Sequence, residues 1–151
     1  MKRLVVPAAA ATLLAAAVAG YVRPWEGNEL TPYRDIVGVW TWCSGVTTGP
    51  HQQHYTQAEC AAINRAEAGR QLAAVAKCVH RPLPEEQWIA LGSWSYNVGA
   101  SAACRSTLMR KLNAGQPWCA ELLKWDYAGG RKVRGLTRRR QAEYRTCIGE
   151  E

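Results

Sequence analysis

Residues 25 to 41 read WEGNELTPYRDIVGVWT, a stretch that brings three groups capable of acid–base chemistry close together in the chain. Glu26 is followed by Gly27, an order that suits a helix end opening into a turn. Asp35 lies nine residues after Glu26, and Thr41 lies six residues after Asp35. One carboxyl group that donates a proton, with a second carboxylate and a hydroxyl that hold a water, is a set suited to hydrolysis. The alternative is that both acids are ordinary solvated surface residues.

The residues around this stretch predict a small β element followed by helices. Turn formers alternate with short β-type runs over residues 30–50, which predicts a twisted hairpin. The capping-box spacing of Thr56 and Glu59 predicts a helix to about Lys77, and Pro84 is placed to start a helix over 85–97. Further helices are predicted over 107–113, after Pro117 through 122–123, and over about 136–147. We therefore expect one mostly helical α+β domain.

Charge and cysteine content narrow the classes of partner and compartment. The 151 residues include 19 Lys and Arg against 12 Asp and Glu, a net charge of +7 that favours a nucleic acid, an anionic membrane or an acidic wall polymer as partner. The six cysteines form no C-x-x-C pair, and the three histidines have no zinc-ligand spacing with them, so we expect disulfides formed outside the cytosol and no metal site. Export argues against nucleic acid. The cysteines alone leave fifteen pairings open.

The N-terminal segment predicts export. Lys2 and Arg3 precede an uncharged run over residues 4–22, in which eight of nineteen residues are Ala. The run is either a signal peptide cleaved after Ala19 or a membrane anchor whose insertion is marginal, because Ala gains little from the bilayer. The leading positive charges predict that the remainder of the chain is exported.

Four segments in the same order resemble the phage lysozymes, the endolysins of glycoside hydrolase family 24. The first has the Glu-x8-Asp-x5-Thr spacing of Glu26, Asp35 and Thr41. The others are residues 96–99 (YNVG), residues 106–113 (STLMRKLN), and residues 125–130 (WDYAGG) with 135–140 (GLTRRR). Each segment alone is weak, but the resemblance spans about residues 24 to 148.

The resemblance implies a lysozyme-like fold with a β-hairpin lobe and a helical lobe, and cleavage of the β-1,4 bond between N-acetylmuramic acid and N-acetylglucosamine in peptidoglycan at host lysis. Glu26 would protonate the leaving oxygen, and Asp35 with Thr41 would position the attacking water, which gives inversion. No cofactor is implied. The partners would be peptidoglycan and, before release, the inner membrane, for a protein that is a monomer.

The resemblance also bears on the N-terminus and the cysteines. Relatives with signal-anchor-release segments share the Ala and Gly bias, so we expect residues 1–22 to be an uncleaved, releasable anchor and residues 23–151 to be the catalytic domain. The protein would then be tethered on the periplasmic side of the host inner membrane and later released into the periplasm. Relatives carry cysteines that imply the pairs Cys43–Cys60 and Cys119–Cys147, and Cys78–Cys104 would then be the third bridge.

Several residues are candidates for binding the substrate. Tyr33 lies two residues from Asp35, and Asn97 either caps its own helix or hydrogen-bonds a sugar. Arg138 lies in a basic run over residues 131–145, which holds seven basic residues and one acid and is either a solvated helix or a field for peptidoglycan carboxylates. Of the seven tryptophans we expect about five to be core. The run after Thr41, residues 43–46 (CSGV), lacks a histidine that relatives often have there, and we expect His51 and His54 to be ordinary loop residues.

Two other functions are compatible with parts of the sequence. A lytic transglycosylase also needs a catalytic Glu but uses no water, so the pair Asp35 and Thr41 argues against it. A non-catalytic cationic protein that binds the wall or membrane would need only the basic charge and the apolar N-terminus.

Overall fold

A computed structural model describes the backbone of residues 8–150 and the side chains of residues 11–150. Residues 1–7 of the predicted N-terminal segment lie outside the described residues. The elements in chain order are α1 (Ala8–Glu26), β1 (Glu29–Arg34), β2 (Trp40–Cys43), α2 (Gln57–Ala76), α3 (Glu85–Val98), α4 (Ala100–Cys104), α5 (Thr107–Asn113), a 3-10 helix (Cys119–Lys124), β3 (Tyr127–Ala128), β4 (Arg131–Lys132) and α6 (Arg134–Cys147).

The first helix, α1, packs against α2 and α3 and contributes to the main core. Leu14, Val18 and Val22 recur every four residues and form its buried face. Gly92 of α3 allows the close approach, because a Cβ there would lie 2.8 Å from Cγ2 of Val18. The helix thus continues without a break across the predicted boundary after residue 22, and that boundary remains a prediction. No helix among the described residues is long and apolar enough to cross a membrane.

The predicted hairpin is confirmed as an antiparallel pair of β1 and β2. Tyr33 pairs with Thr41 and Glu29 with Cys43, and the register shifts between these two pairs. The hairpin has a small core of its own, which consists of Trp42, Cys43, Val46, Tyr55 and Cys60. This lobe therefore folds around its own apolar residues, and the turn that connects its two strands lies at the surface.

The helices match the sequence predictions with three differences, the first of which is α4, a short helix that the sequence analysis did not predict. The capping box of α2 is present, with Thr56 Oγ1 accepting from the Glu59 amide at 3.1 Å and the Glu59 carboxylate accepting from the Thr56 amide at 2.9 Å. The segment after Pro117 is a 3-10 helix rather than an α-helix, with i to i−3 bonds such as Glu121 N to Trp118 O at 2.9 Å. Helix α6 begins at Arg134, two residues before the predicted start.

Three disulfides link Cys43 with Cys60, Cys78 with Cys104, and Cys119 with Cys147. This is the pairing that the resemblance implied. Five tryptophans are buried in or packed against the two cores, as expected, namely Trp42, Trp88, Trp94, Trp118 and Trp125. The remaining two, Trp25 and Trp40, are partly exposed on the side of the hairpin and the end of α1.

Candidate active site

Glu26 is the last residue of α1, as the Glu-Gly order predicted. Gly27 has a φ of +76°, a left-handed conformation that glycine adopts readily, and its amide donates to the Arg23 carbonyl at 2.9 Å. The chain therefore leaves the helix directly after Glu26. A side chain at the end of a helix packed into the core is held by the rigidity of that helix.

The carboxylate of Glu26 is bound by Arg139 from α6. Nη1 of Arg139 donates to Glu26 Oε1, with 4% of the arginine side chain and 24% of the glutamate side chain exposed. Arg139 is fixed in turn because its Nη2 donates to the Ser93 carbonyl at 3.0 Å and its Nε donates to Glu143 Oε1 at 3.2 Å. One partly exposed carboxylate thus meets a buried guanidinium that two other oxygen atoms hold in place.

A second guanidinium lies behind the first. Arg140 Nε is 3.2 Å from Glu143 Oε2, and both side chains are fully buried. Burial raises the pKa of Glu143, an effect opposed by Arg140, by the hydrogen bond from Ser93 and by Arg139. Burial also lowers the pKa of Arg140, while the charge of Glu143 acts in the opposite direction.

Asp35 and Thr41 are joined through one residue, Val39. Asp35 Oδ1 accepts the amides of Val37 and Val39, each at 2.9 Å, so the carboxylate is fixed across the turn between the strands. Thr41 Oγ1 donates to the Val39 carbonyl at 3.1 Å. Both predicted residues therefore bind the backbone of Val39, and Oδ2 of Asp35 makes no hydrogen bond within the part of the chain that the structure describes.

The loop after β2 connects the strand of Thr41 to Glu26. Ser44 is buried, and its Oγ donates to the Gly27 carbonyl at 2.8 Å. Its carbonyl accepts from the hydroxyl of Tyr96 at 2.6 Å. At Gly45, with φ +73°, a Cβ would lie 3.3 Å from Glu26 Oε2, so this loop passes close to the carboxylate. Burial and then the nearby charge of Glu26 raise the pKa of Tyr96 to about 12, so the hydroxyl keeps its proton and acts as a donor.

Comparison with known sequences identifies the family. The sequence model for phage lysozyme matches residues 23–143. The chain belongs to the phage lysozyme family. A curated relative, the SAR-endolysin of Enterobacteria phage P21, is 41% identical over 131 residues, which cover 82% of this chain and 77% of the relative.

Solved structures show the same fold. The endolysin from Escherichia coli O157:H7 phage FAHEc1 superposes with a TM-score of 0.77 at 26% identity, covering 87% of this chain and 90% of that one. The active form of the P1 phage endolysin Lyz superposes with a TM-score of 0.78 at 20% identity, covering 99% and 97%, and supports the fold alone. The lysozyme fold that the resemblance implied is confirmed, and the protein is a hydrolase of the lysozyme class.

The substrate-binding candidates of this phage lysozyme occupy different environments. Tyr33 pairs across the hairpin with Thr41 and is 43% exposed, whereas Arg138 is exposed on α6. Asn97 does not cap α3, because its Oδ1 accepts from Arg140 Nη2 at 2.7 Å and the cap residue is Gly99. Asn97 therefore lies at the surface and hydrogen-bonds the buried Arg140. A sugar contact by Tyr33, Asn97 or Arg138 remains a prediction.

The histidines and the unusual residues after Thr41 have structural partners. His51 packs against Trp40 and Trp42, with ring centroids 4.8 and 5.2 Å apart. His54 Nδ1 is 3.0 Å from the Thr31 hydroxyl. Within the run 43–46, which lacks the histidine that relatives often have there, Cys43 and Val46 are buried in the small core of the hairpin.

Sequence reasoning missed Arg139, Arg140 and Glu143 as parts of the site. They lie in the basic run that was interpreted as a solvated helix or a field for the substrate. The available signal was the single acid of that run: Glu143 stands four residues after Arg139 and three after Arg140, on one face of a helix. An acid that follows one arginine by four residues and another by three can pair with both on one helix face, which indicates an ion-paired cluster rather than a solvated surface.

Proposed function

We propose that this phage lysozyme is an endolysin that hydrolyses the β-1,4 bond between N-acetylmuramic acid and N-acetylglucosamine in peptidoglycan during host cell lysis. Glu26 is the general acid, and Asp35 with Thr41 holds the attacking water. Family membership supports the reaction class. The observation that carries the residue assignment is the link through Val39, which orients a carboxylate and a hydroxyl within one turn of the hairpin.

The division of roles follows from how each carboxyl group is held. Asp35 Oδ1 accepts two backbone amides, which fix the orientation of the carboxylate and leave Oδ2 to bind and activate a water. Glu26 lies close to Gly45 and is partly exposed, so a glycosidic oxygen can reach it. A proton from Glu26 to the leaving oxygen and a water activated by Asp35 on the opposite face of the sugar give inversion.

The two carboxyl groups of an inverting glycosidase stand roughly 6.5–9.5 Å apart to admit the water, whereas a retaining enzyme brings them closer. Thr41 donates to the Val39 carbonyl, so its oxygen lone pairs remain able to accept a hydrogen bond from that water. A transglycosylase would need neither Asp35 nor Thr41, because its product closes on itself without water.

Substrate contacts and compartment complete the proposal. Tyr33, beside Thr41 in the sheet, stacks on a sugar, and Asn97 and Arg138 bind polar or carboxylate groups of the polymer. Residues 1–22 tether the chain, as a monomer, to the inner membrane on its periplasmic side until it is released into the periplasm, and residues 23–151 form the catalytic domain. The relative from phage P21 is named a SAR-endolysin, and the Ala-rich composition of residues 8–19 supports a weak tether.

The test is the chemistry of the products from purified peptidoglycan. Mass spectrometry of the digest is expected to show reducing N-acetylmuramic acid ends, each carrying one added water, and proton NMR of fresh products is expected to show the α-anomer. Anhydro ends would instead identify a transglycosylase, and an uncut polymer that still binds the protein would identify a non-catalytic wall-binding protein.

A further inference from the structure

Behind Glu26 lies a buried ion cluster, which consists of Arg139, Arg140, Glu143 and the hydroxyl of Ser93. All four side chains are buried, and Arg140, Glu143 and Ser93 have no exposed surface. Buried charges are costly unless each has a partner. Replacing a buried ion cluster by apolar residues of similar volume is often neutral or stabilising, so fold stability is a weak reason for its presence. The position of the cluster directly behind the proposed general acid suggests a role in its chemistry.

One carboxylate is shared by both guanidiniums. Glu143 Oε1 accepts from Ser93 Oγ at 2.6 Å and from Arg139 Nε at 3.2 Å, while Oε2 lies 3.2 Å from Arg140 Nε. Arg139 uses its remaining nitrogens for Glu26 and the Ser93 carbonyl. Glu143 therefore holds the Arg139 guanidinium at Nε, and this contact sets the direction in which Nη1 points toward Glu26.

The charges of the cluster balance only with Glu143 ionised. Two arginines and the two carboxylates of Glu26 and Glu143 sum to zero when both acids are ionised, and a proton on Glu26 leaves the cluster with a single positive charge. If Glu143 carried no charge, Glu26 would face two buried guanidiniums and its ionised form would be favoured strongly. A general acid has to keep its proton until the substrate arrives, so a second negative charge behind Arg139 favours catalysis.

Other charged or titratable groups around Glu26 do not replace Glu143. Tyr96 of α3 stays neutral because its pKa is raised, and the Tyr21 hydroxyl of α1 bonds Thr146 at 3.1 Å. Arg70 of α2 is paired with Glu67, and Asp126 is bonded to Thr137 at 2.7 Å and paired with Lys132. The loop after β2 places only Ser44 and Gly45 next to Glu26 and the turn that follows it, and neither side chain titrates.

We propose that Glu143 is a positioning residue for the lysozyme reaction: it orients Arg139 toward Glu26 and balances one of the two buried positive charges behind the general acid. The proposal rests on the proposed function, in which Glu26 donates the proton. Arg140 acts in the opposite sense, because it adds positive charge to the cluster.

The experiment measures kcat/KM on purified peptidoglycan across a pH series and follows the alkaline limb of the profile, which reports on the essential acid. Glu143→Gln keeps the shape and removes the negative charge, so the limb is expected to move to lower pH by about one pH unit. Arg140→Met removes a positive charge and is expected to move the limb to higher pH. In the double variant the charges balance again, and the limb is expected to return toward that of the unmodified protein.

Glu121→Gln is the matched control, because Glu121 is also a buried carboxylate between two cations but bonds Lys111 and Lys124 instead of Arg139. It is expected to lower stability and leave the limb in place. Glu143→Gln with an unmoved limb, shifts of the same sign in both single variants, or a double variant shifted further than either would overturn the proposal. Full activity of Glu26→Gln would instead overturn the function on which it rests.

Discussion

Ser44 Oγ donates a 2.8 Å hydrogen bond to the carbonyl of Gly27, and this bond joins the loop after β2 to the turn directly after Glu26. The bond thereby links the end of α1, which carries Glu26, to the segment directly after the strand that carries Thr41. Ser44 also binds Asn64 through its amide at 2.9 Å and Tyr96 through its carbonyl. Ser44 is therefore a buried residue whose three hydrogen bonds connect the strand of Thr41 to the turn after Glu26, to α2 and to α3.

The first prediction concerns the general acid. Glu26→Gln keeps the shape of the side chain but cannot donate a proton, so we expect activity to fall by about 10²–10⁴-fold with the fold retained. Turbidity loss of peptidoglycan suspensions measures the rate, and circular dichroism checks folding. Glu29→Gln, at an exposed acid three residues on, is the control and is expected to keep full activity.

The second prediction concerns Gly45. Both Gly45 and Gly49 have positive φ, +73° and +88°, so alanine at either position is strained by about 1 kcal/mol. Only at Gly45 would the added Cβ meet Glu26 Oε2. We therefore expect similar losses of stability in urea unfolding but a loss of kcat/KM in Gly45→Ala alone. Equal activity of the two variants would show that the loop does not constrain Glu26.

A third prediction is a pH dependence of stability at Glu121. Hydrogen bonds from Lys111 and then Lys124 hold the pKa of this carboxyl below its ordinary value of 4.5. A lowered pKa stabilises the fold above the ordinary value, and that stability is lost as the pH falls through the lowered one. Glu121→Gln is therefore expected to lower Tm at pH 7, and this difference is expected to shrink as the pH falls below 4.5 through the lowered pKa. A constant Tm difference across this range would contradict the ion pairing.

The fourth prediction separates two disulfides. In the chain-entropy model Cys43–Cys60 and Cys78–Cys104 each stabilise the fold by about 3–3.5 kcal/mol, since they close loops of similar length. Cys43 lies between Thr41 and Ser44, whereas Cys78 and Cys104 join the end of α2 to α4. Replacing either pair by alanine is expected to lower stability to a similar degree, but only loss of Cys43–Cys60 is expected to lower the activity of the remaining folded protein.

The fifth prediction concerns processing. Leu14, Val18 and Ala19 are buried in the main core, so a chain that starts at Gly20 would lose them and leave only six residues before Glu26. We expect the soluble, active species to retain residues 1–19 and the truncated chain to be unstable and inactive. Intact-mass measurement of the active protein tests this directly, and an active species that begins at Gly20 would disprove it.

Local patterns in the sequence predicted most of the elements, although not α4 or the strand pair β3–β4. The capping box at Thr56 and Glu59, the turn formers between residues 30 and 50, and the glycine after Glu26 act through neighbours in the chain, so their effects can be read without knowing the fold. The resemblance added the order of the segments and the cysteine pairs. The 3-10 form of Cys119–Lys124 was missed, because its choice over an α-helix depends on how the segment fits between its neighbours.

The sequence by itself thus determined a helical protein with a hairpin near its start and the candidate residues Glu26, Asp35 and Thr41. Only the tertiary structure decided which group faces Glu26. Arg139 stands 113 residues further along the chain, and an interaction across that distance leaves no local pattern. Likewise α1 is a core helix because α2 and α3 bury its apolar face, whereas the same Ala-rich composition taken alone also fits a membrane segment. Burial and pairing of charges are properties of the packed molecule, and the chemistry of this site depends on both.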